Sequence, residues 1–146
     1  MHIPPFTASG DLPVGLHPAT LQEIKLRFGA TTTQRQIMAA RLEHIYRTAA
    51  GTGHLARFVI FGSFVTAKLE PNDVDVFLLM KDSFDSATLV GEAKLLFDHG
   101  NANTYFGASV FWLRRIAAFG GEQAAIENWQ IKRDGSLRGI VEIIGE

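Results

Sequence analysis

Ile37, Met38, Leu42, Ile45, Tyr46 and Ala49 recur at intervals of three and four residues, which puts them on one face of a helix from about Thr33 to Ala50. Thr31 and Gln34 stand at capping-box spacing ahead of it, and Gly51 with Gly53 close it. A shorter helix is expected in "ATLQEIKLRFGA". There Thr20 and Glu23 form a second capping box, and Gly29 falls where a helix end takes a left-handed residue. The pattern then changes. "ARFVIFG" and "VDVFLLM" are rich in β-branched and aromatic residues and predict strands. The second is continuously apolar after Asp75, which predicts burial on both faces. Between them "SFVTAKLEPND" is a polar connection with turn chemistry at Pro-Asn-Asp.

Further along, Asp85 or Ser86 can cap a third helix running to about Phe97, with His99-Gly100 closing it. "TYFGASVFWL" reads as a strand and "GGEQAAIENW" as a short helix. "WQIKRDGSLRGIVEII" reads as a hairpin about the two-residue turn Asp134-Gly135. Four of the five prolines lie in residues 1–19, so that segment is expected as an extended, irregular arm. Residues 20–146 are expected as a single α/β (α+β) domain with a mixed sheet of four to five strands.

Composition narrows the chemistry. The chain has 146 residues, 47% hydrophobic and 20% charged, an ordinary globular balance. A net charge of −1 gives no global field for nucleic acid, and the pairs Arg114-Arg115 and Lys132-Arg133 read as solvated surface. Cysteine is absent, which excludes disulfides, thiolate metal sites and cysteine nucleophiles. His2, His17, His44, His54 and His99 lack ligand spacing. Neither a signal peptide nor a membrane-length apolar run is visible, so a cytoplasmic protein is expected.

Two carboxylates open the second strand. Side chains alternate along a strand, so Asp73 and Asp75 point the same way with Cα atoms roughly 6.5–7 Å apart. They repel, and burial raises the cost of their charge. A divalent cation relieves both penalties, and hard oxygen ligands at this spacing suit magnesium with phosphate oxygens completing its shell. Gly62 at the end of the preceding strand lets the backbone approach a ligand, and Ser63 with the following amides can donate to phosphate. Thr66 and Lys68 could add a hydroxyl and a positive charge. The bland alternative is solvated turn acids after an ordinary Gly-Ser turn.

"FGSFVTAKLEPNDVDVFLL" resembles the signature of the nucleotidyltransferase-like superfamily, which holds the polymerase-β-type enzymes and the minimal nucleotidyltransferase antitoxins. "LPVGLHPATLQEIKLRFG" and "DGSLRGIVEI" extend the resemblance to a group of small, uncharacterised bacterial nucleotidyltransferase-like proteins. The resemblance implies a nucleotide cleft in which Asp73 and Asp75 bind magnesium and Gly62, Ser63 and neighbouring amides hold the phosphates. The reaction it implies is transfer of a nucleoside monophosphate from an NTP to a hydroxyl acceptor. In an antitoxin version, the acceptor would belong to a toxin-like protein partner.

One departure matters. Active members carry a third carboxylate on a later strand, and the aligned position here is Ser109, a neutral hydroxyl that binds magnesium poorly and is no general base near neutral pH. The chain is then a degenerate member that binds nucleotide or a partner, or it recruits Asp98 or Glu142, or Ser109 is a silencing substitution. A metal nuclease using Glu92 and Lys94 is a weaker rival, because both fall in a helical rhythm. The C-terminal hairpin could offer an edge strand for a homodimer.

Overall fold

The computed structural model describes residues 3–145, so His2 and Glu146 lie outside it. Five strands form one mixed sheet in the order β1-β5-β2-β3-β4. They are β1 (Leu16–Ala19), β2 (Leu55–Phe61), β3 (Val74–Met80), β4 (Ala108–Arg114) and β5 (Ile140–Ile143). The β1–β5 and β3–β4 pairs are parallel; β5–β2 and β2–β3 are antiparallel. The α+β class and the mixed sheet are as expected.

α1 (Leu21–Phe28) and α2 (Thr33–Gly51) follow the sequence pattern closely. The Thr20–Glu23 capping box is present in full. At α2 the cap is Thr32, whose hydroxyl accepts from the Arg35 amide, one residue later than the expected Thr31–Gln34 box. Met38, Leu42, Ile45 and Ala49 face the core, whereas Ile37 is exposed. Gly29 is not left-handed (φ −111°). A Cβ there would lie 2.5 Å from the Ala39 Cβ, so its role is the close packing of α1 on α2.

The expected third helix is divided. Asp85 caps a single 3-10 turn, Ser86–Thr88, and α3 covers only Gly91–Leu96. His99-Gly100 does not end a helix but opens α4 (His99–Phe106), because the Asp98 carboxylate accepts from the Asn101 amide and caps it. The expected strand from Thr104 therefore begins at Ala108. α5 (Glu122–Glu127) lies where the short helix was expected.

The N-terminal arm is extended, yet it is integrated rather than irregular throughout. β1 pairs with β5, Leu12 and Ile3 are buried, and the Gly10 carbonyl accepts from the Ala67 amide. The C-terminal reversal is real, with Ile131 bridging Leu137. Its central pair is Arg133-Asp134, closed by Gly135 N–H to the Lys132 carbonyl. Gly135 (φ +87°) alone takes the left-handed position, since Asp134 does not have the positive φ that a type I′ turn requires. β5 lies between β1 and β2, so it is not a free edge for a homodimer; the sheet's edges are β1 and β4.

Alternation along β3 explains its burial. Val74, Val76, Leu78 and Met80 join the main core with α1 to α4, and Phe77 and Leu79 join a smaller cluster on the opposite face with Val59, Ile140 and Ile126 of α5. Each such buried side chain contributes roughly 1.5–3 kcal/mol relative to exposure. Among the described residues, no helix is long and apolar enough to cross a membrane.

Candidate functional site

Register places the acids. Phe61 on β2 pairs with Asp75, and Asp75 pairs with Ser109 on β4, so these three form one row across the sheet on the face of the smaller cluster. β2 ends there because Gly62 adopts φ +80°, ψ −166°, a conformation essentially reserved for glycine. The chain then makes a 3-10 turn, Ser63–Val65, closed by Val65 N–H to the Gly62 carbonyl. A Cβ on Gly62 would collide with the Asp75 carboxylate. Gly62→Ala is therefore expected to lose about 3 kcal/mol from backbone strain and displacement of Asp75. Its denaturant midpoint should fall accordingly, and an unchanged midpoint would refute the close packing of Asp75 on this turn.

The two carboxylates are in contact with each other and with Ser109. The Ser109 hydroxyl donates to Asp73 Oδ2 at 3.2 Å. Burial first, and the neighbouring Asp73 charge second, push the Asp75 carboxyl up to about 7, with Ser109 and Arg138 partly opposing. Near neutral pH the Asp75 carboxyl of the metal-free protein is therefore partly protonated. Among the described residues no group of three or more His, Asp or Glu is arranged to hold a metal. Two half-buried carboxylates nevertheless fit magnesium, which binds through one or two acids and completes its shell with water and phosphate oxygens.

The pair opens into a cleft of about 640 Å³ that Gly62, Ser63, Lys68 and Asn72 also line. Asp73, Asp75, Gly62, Ser63, Lys68 and Ser109 are thus brought together. Among the described residues the Ser63 hydroxyl and the Ser63 and Phe64 amides donate to nothing, so they are free for an anion. Thr66 is not part of the lining. It is buried, and its hydroxyl donates to the Ser63 carbonyl at 2.7 Å and accepts from the Lys68 amide, so it builds the turn rather than facing the cleft.

The acids proposed as substitutes for a third carboxylate are engaged elsewhere. Glu142 accepts two hydrogen bonds from Arg57, each 2.8 Å, and Arg57 also reaches Glu122. Asp98 caps α4. Glu92 sits on α3, accepts from the Tyr105 hydroxyl and lies 2.9 Å from His44 Nε2, outside the cleft. Ser109 stands where the third carboxylate was expected, and among the described residues its acidic neighbours are Asp73 and Asp75 themselves, while Asp98 and Glu142 are held elsewhere.

A family model, "Family of unknown function (DUF6932)", matches residues 4–144. The chain belongs to that family. Comparison with curated proteins and with solved structures finds no match.

Two features of this DUF6932 chain escape a reading of the sequence. Across the cleft from the acids, the segment 131–138 contributes Lys132, Arg133 and Arg138. Asp11 holds two of them, at 3.2 Å from Lys132 Nζ and 3.6 Å from Arg138 Nη1. With Lys68 they form a cationic rim around two carboxylates. No local spacing announces this, because the rim is assembled by the return of the chain into β5. The other feature is Arg35, which is 3% exposed. It donates to the carbonyls of Phe28, Phe64, Thr66 and Lys68 at 2.5–3.2 Å and so fixes the connection that carries Lys68 into the cleft. A signal for it existed: Arg35, Met38 and Leu42 follow the same three-to-four stripe.

Proposed function

We propose that the chain is a nucleotidyltransferase-like protein that binds a nucleoside triphosphate with magnesium in this cleft and passes the nucleoside monophosphate to a hydroxyl acceptor. The observation that carries the reading is the joining of Asp73 and Asp75 to the Gly62-Ser63 turn within one cleft ringed by Lys68, Lys132, Arg133 and Arg138. Asp73 and Asp75 would hold the metal, which neutralises charge developing on the transferred phosphoryl group. Ser63 and the free amides of its turn bind phosphate oxygens, and the cationic rim offsets the triphosphate's remaining charge. The acceptor oxygen bonds to the α-phosphorus, the bond to the bridging oxygen breaks, pyrophosphate leaves, and the acceptor's proton passes to solvent. An acceptor hydroxyl on a toxin-like protein partner is one form of this reading, and NTP with Mg²⁺ is its ligand set.

Ser109 favours a second reading, a module that holds the nucleotide without turnover. Its hydroxyl touches Asp73 but supplies neither charge nor base strength. Incubation with labelled ATP, CTP, GTP and UTP plus magnesium separates the two. Transfer of label by the wild type supports the enzyme, and Ser109→Asp should raise the rate by about 10²-fold if only the general base is missing. Binding with no transfer by either protein supports the holding module. Absence of any magnesium-dependent nucleotide binding sinks both.

A further inference from the structure

Beside the acid cleft, on the same sheet face, lies a second pocket of about 430 Å³. Phe77, Phe111, Trp112, Phe119 and Trp129 line it, and Phe111 and Trp129 also line the acid cleft. Trp129 is the partition: it stacks on Phe61 with centroids 4.5 Å apart and leans on Phe111 at 5.0 Å. The two pockets differ in chemistry. All the acids and cations lie on one side of the partition, and flat apolar rings lie on the other.

Three details point to a missing occupant. Phe119 stands at the pocket 96% exposed, a large ring that nothing in the chain covers. It is followed by Gly120 and Gly121, both at positive φ, and the Gly121 amide donates to the Ala118 carbonyl, a turn that holds the Phe119 ring out at the pocket. Among the described residues, the Asn128 side-chain amide in the lining has no hydrogen-bond partner, so both its donors and its acceptor are free for a ligand edge. The Trp112 indole already donates to the Phe97 carbonyl and asks for nothing.

We propose that this pocket takes the base of the nucleotide whose phosphates lie over Asp73 and Asp75, with Phe119 covering the ring and Asn128 meeting its edge. The proposal rests on the reading above and adds where the base goes. A ligand continuous across the partition must be a planar ring joined to a polyanion, which is the chemistry of a nucleotide.

The Trp129 ring stands at the pocket, so its fluorescence reports on it directly, whereas the Trp112 indole packs on Phe84 and Phe97 on the opposite face of the sheet and supplies a constant background. Adenosine, guanosine, cytidine and uridine, corrected for inner-filter absorption, test the pocket without phosphates; magnesium tripolyphosphate tests the acid cleft without a base. At least one nucleoside should quench saturably in the millimolar range, and ribose 5-phosphate should not. Phe119→Ala, and Ala125→Phe to fill the pocket from α5, should each weaken NTP binding at least tenfold and leave tripolyphosphate within twofold. Silence with every nucleoside overturns the proposal, as do variants that bind NTP like the wild type or lose both ligands equally. Failure of the wild type to bind tripolyphosphate strikes the acid-cleft reading instead, and the nucleoside arm still decides the pocket.

Discussion

Asp75→Asn should abolish magnesium-dependent nucleotide binding and still leave the metal-free protein more stable than the wild type at pH 8. The two effects have one cause. Asp75 is pressed between the Gly62 backbone, Asp73 and Ser109, where a second negative charge is disfavoured. Its folded-state pKa of about 7 lies above the ordinary 3.8, so between those values the folded chain holds a proton that the unfolded chain has lost. The stability this gives is present in full below about pH 4 and is lost as pH rises through 7. Solvent at the open side of the cleft screens the repulsion, which leaves roughly 2 kcal/mol. Asparagine has no charge to lose, so the variant's stability should lack this component. Magnesium should restore part of the wild-type loss at pH 8 and do nothing for the variant. If transfer occurs, loss of the ligand should slow it at least about 10²-fold. Thermal melts from pH 4 to 8, with and without magnesium, decide the matter. Parallel curves for the two proteins would mean that Asp75 carries no strained charge.

The same acids show why some of the molecule was legible in the sequence. Strand and helix periods are local, and β2, β3, α1 and α2 fell close to their expected places because each alternation or stripe matched the face that became buried. Asp73 and Asp75 stood out because a buried strand disfavours charge. Where a competing local cap intervened, the reading failed: Asp98 with Asn101 starts a helix in a place where His99-Gly100 looked like an end. β1 is four residues long, contains Pro18, and becomes a strand only because β5 returns to lie beside it. The cationic rim depends on that same return. Lys132 and Arg133 look like ordinary surface residues until β5 is threaded between β1 and β2, which carries the preceding turn across the cleft from Asp75. Such placement belongs to topology, and topology is a long-range property.

Arg35→Met should be the most destabilising single change on the helical side of the site, costing about 4 kcal/mol. Arg35 makes no ion pair among the described residues; its burial lowers its pKa, and Glu70 acts in the opposite direction. Its charge is stabilised instead by four backbone carbonyls, from the end of α1, the 3-10 turn and the connection beyond it. Methionine fills much of the same volume but donates nothing, so buried acceptors are stranded or the connection must open. For a domain of this length the loss corresponds to a fall in Tm of roughly 10 °C. Arg35→Lys should recover part of it, because an ammonium keeps the charge but its compact head cannot span four carbonyls as a planar fork does. The damage should also be local. Amide exchange at Val65, Thr66 and Ala67, whose hydrogen bonds run to Gly62, Ser63 and Gly10, should quicken more than exchange in the interior of β3. Since this connection positions Lys68, nucleotide affinity should fall even at temperatures where Arg35→Met remains folded. A variant with wild-type Tm and unchanged exchange at those three amides would show that the connection holds its shape without the arginine.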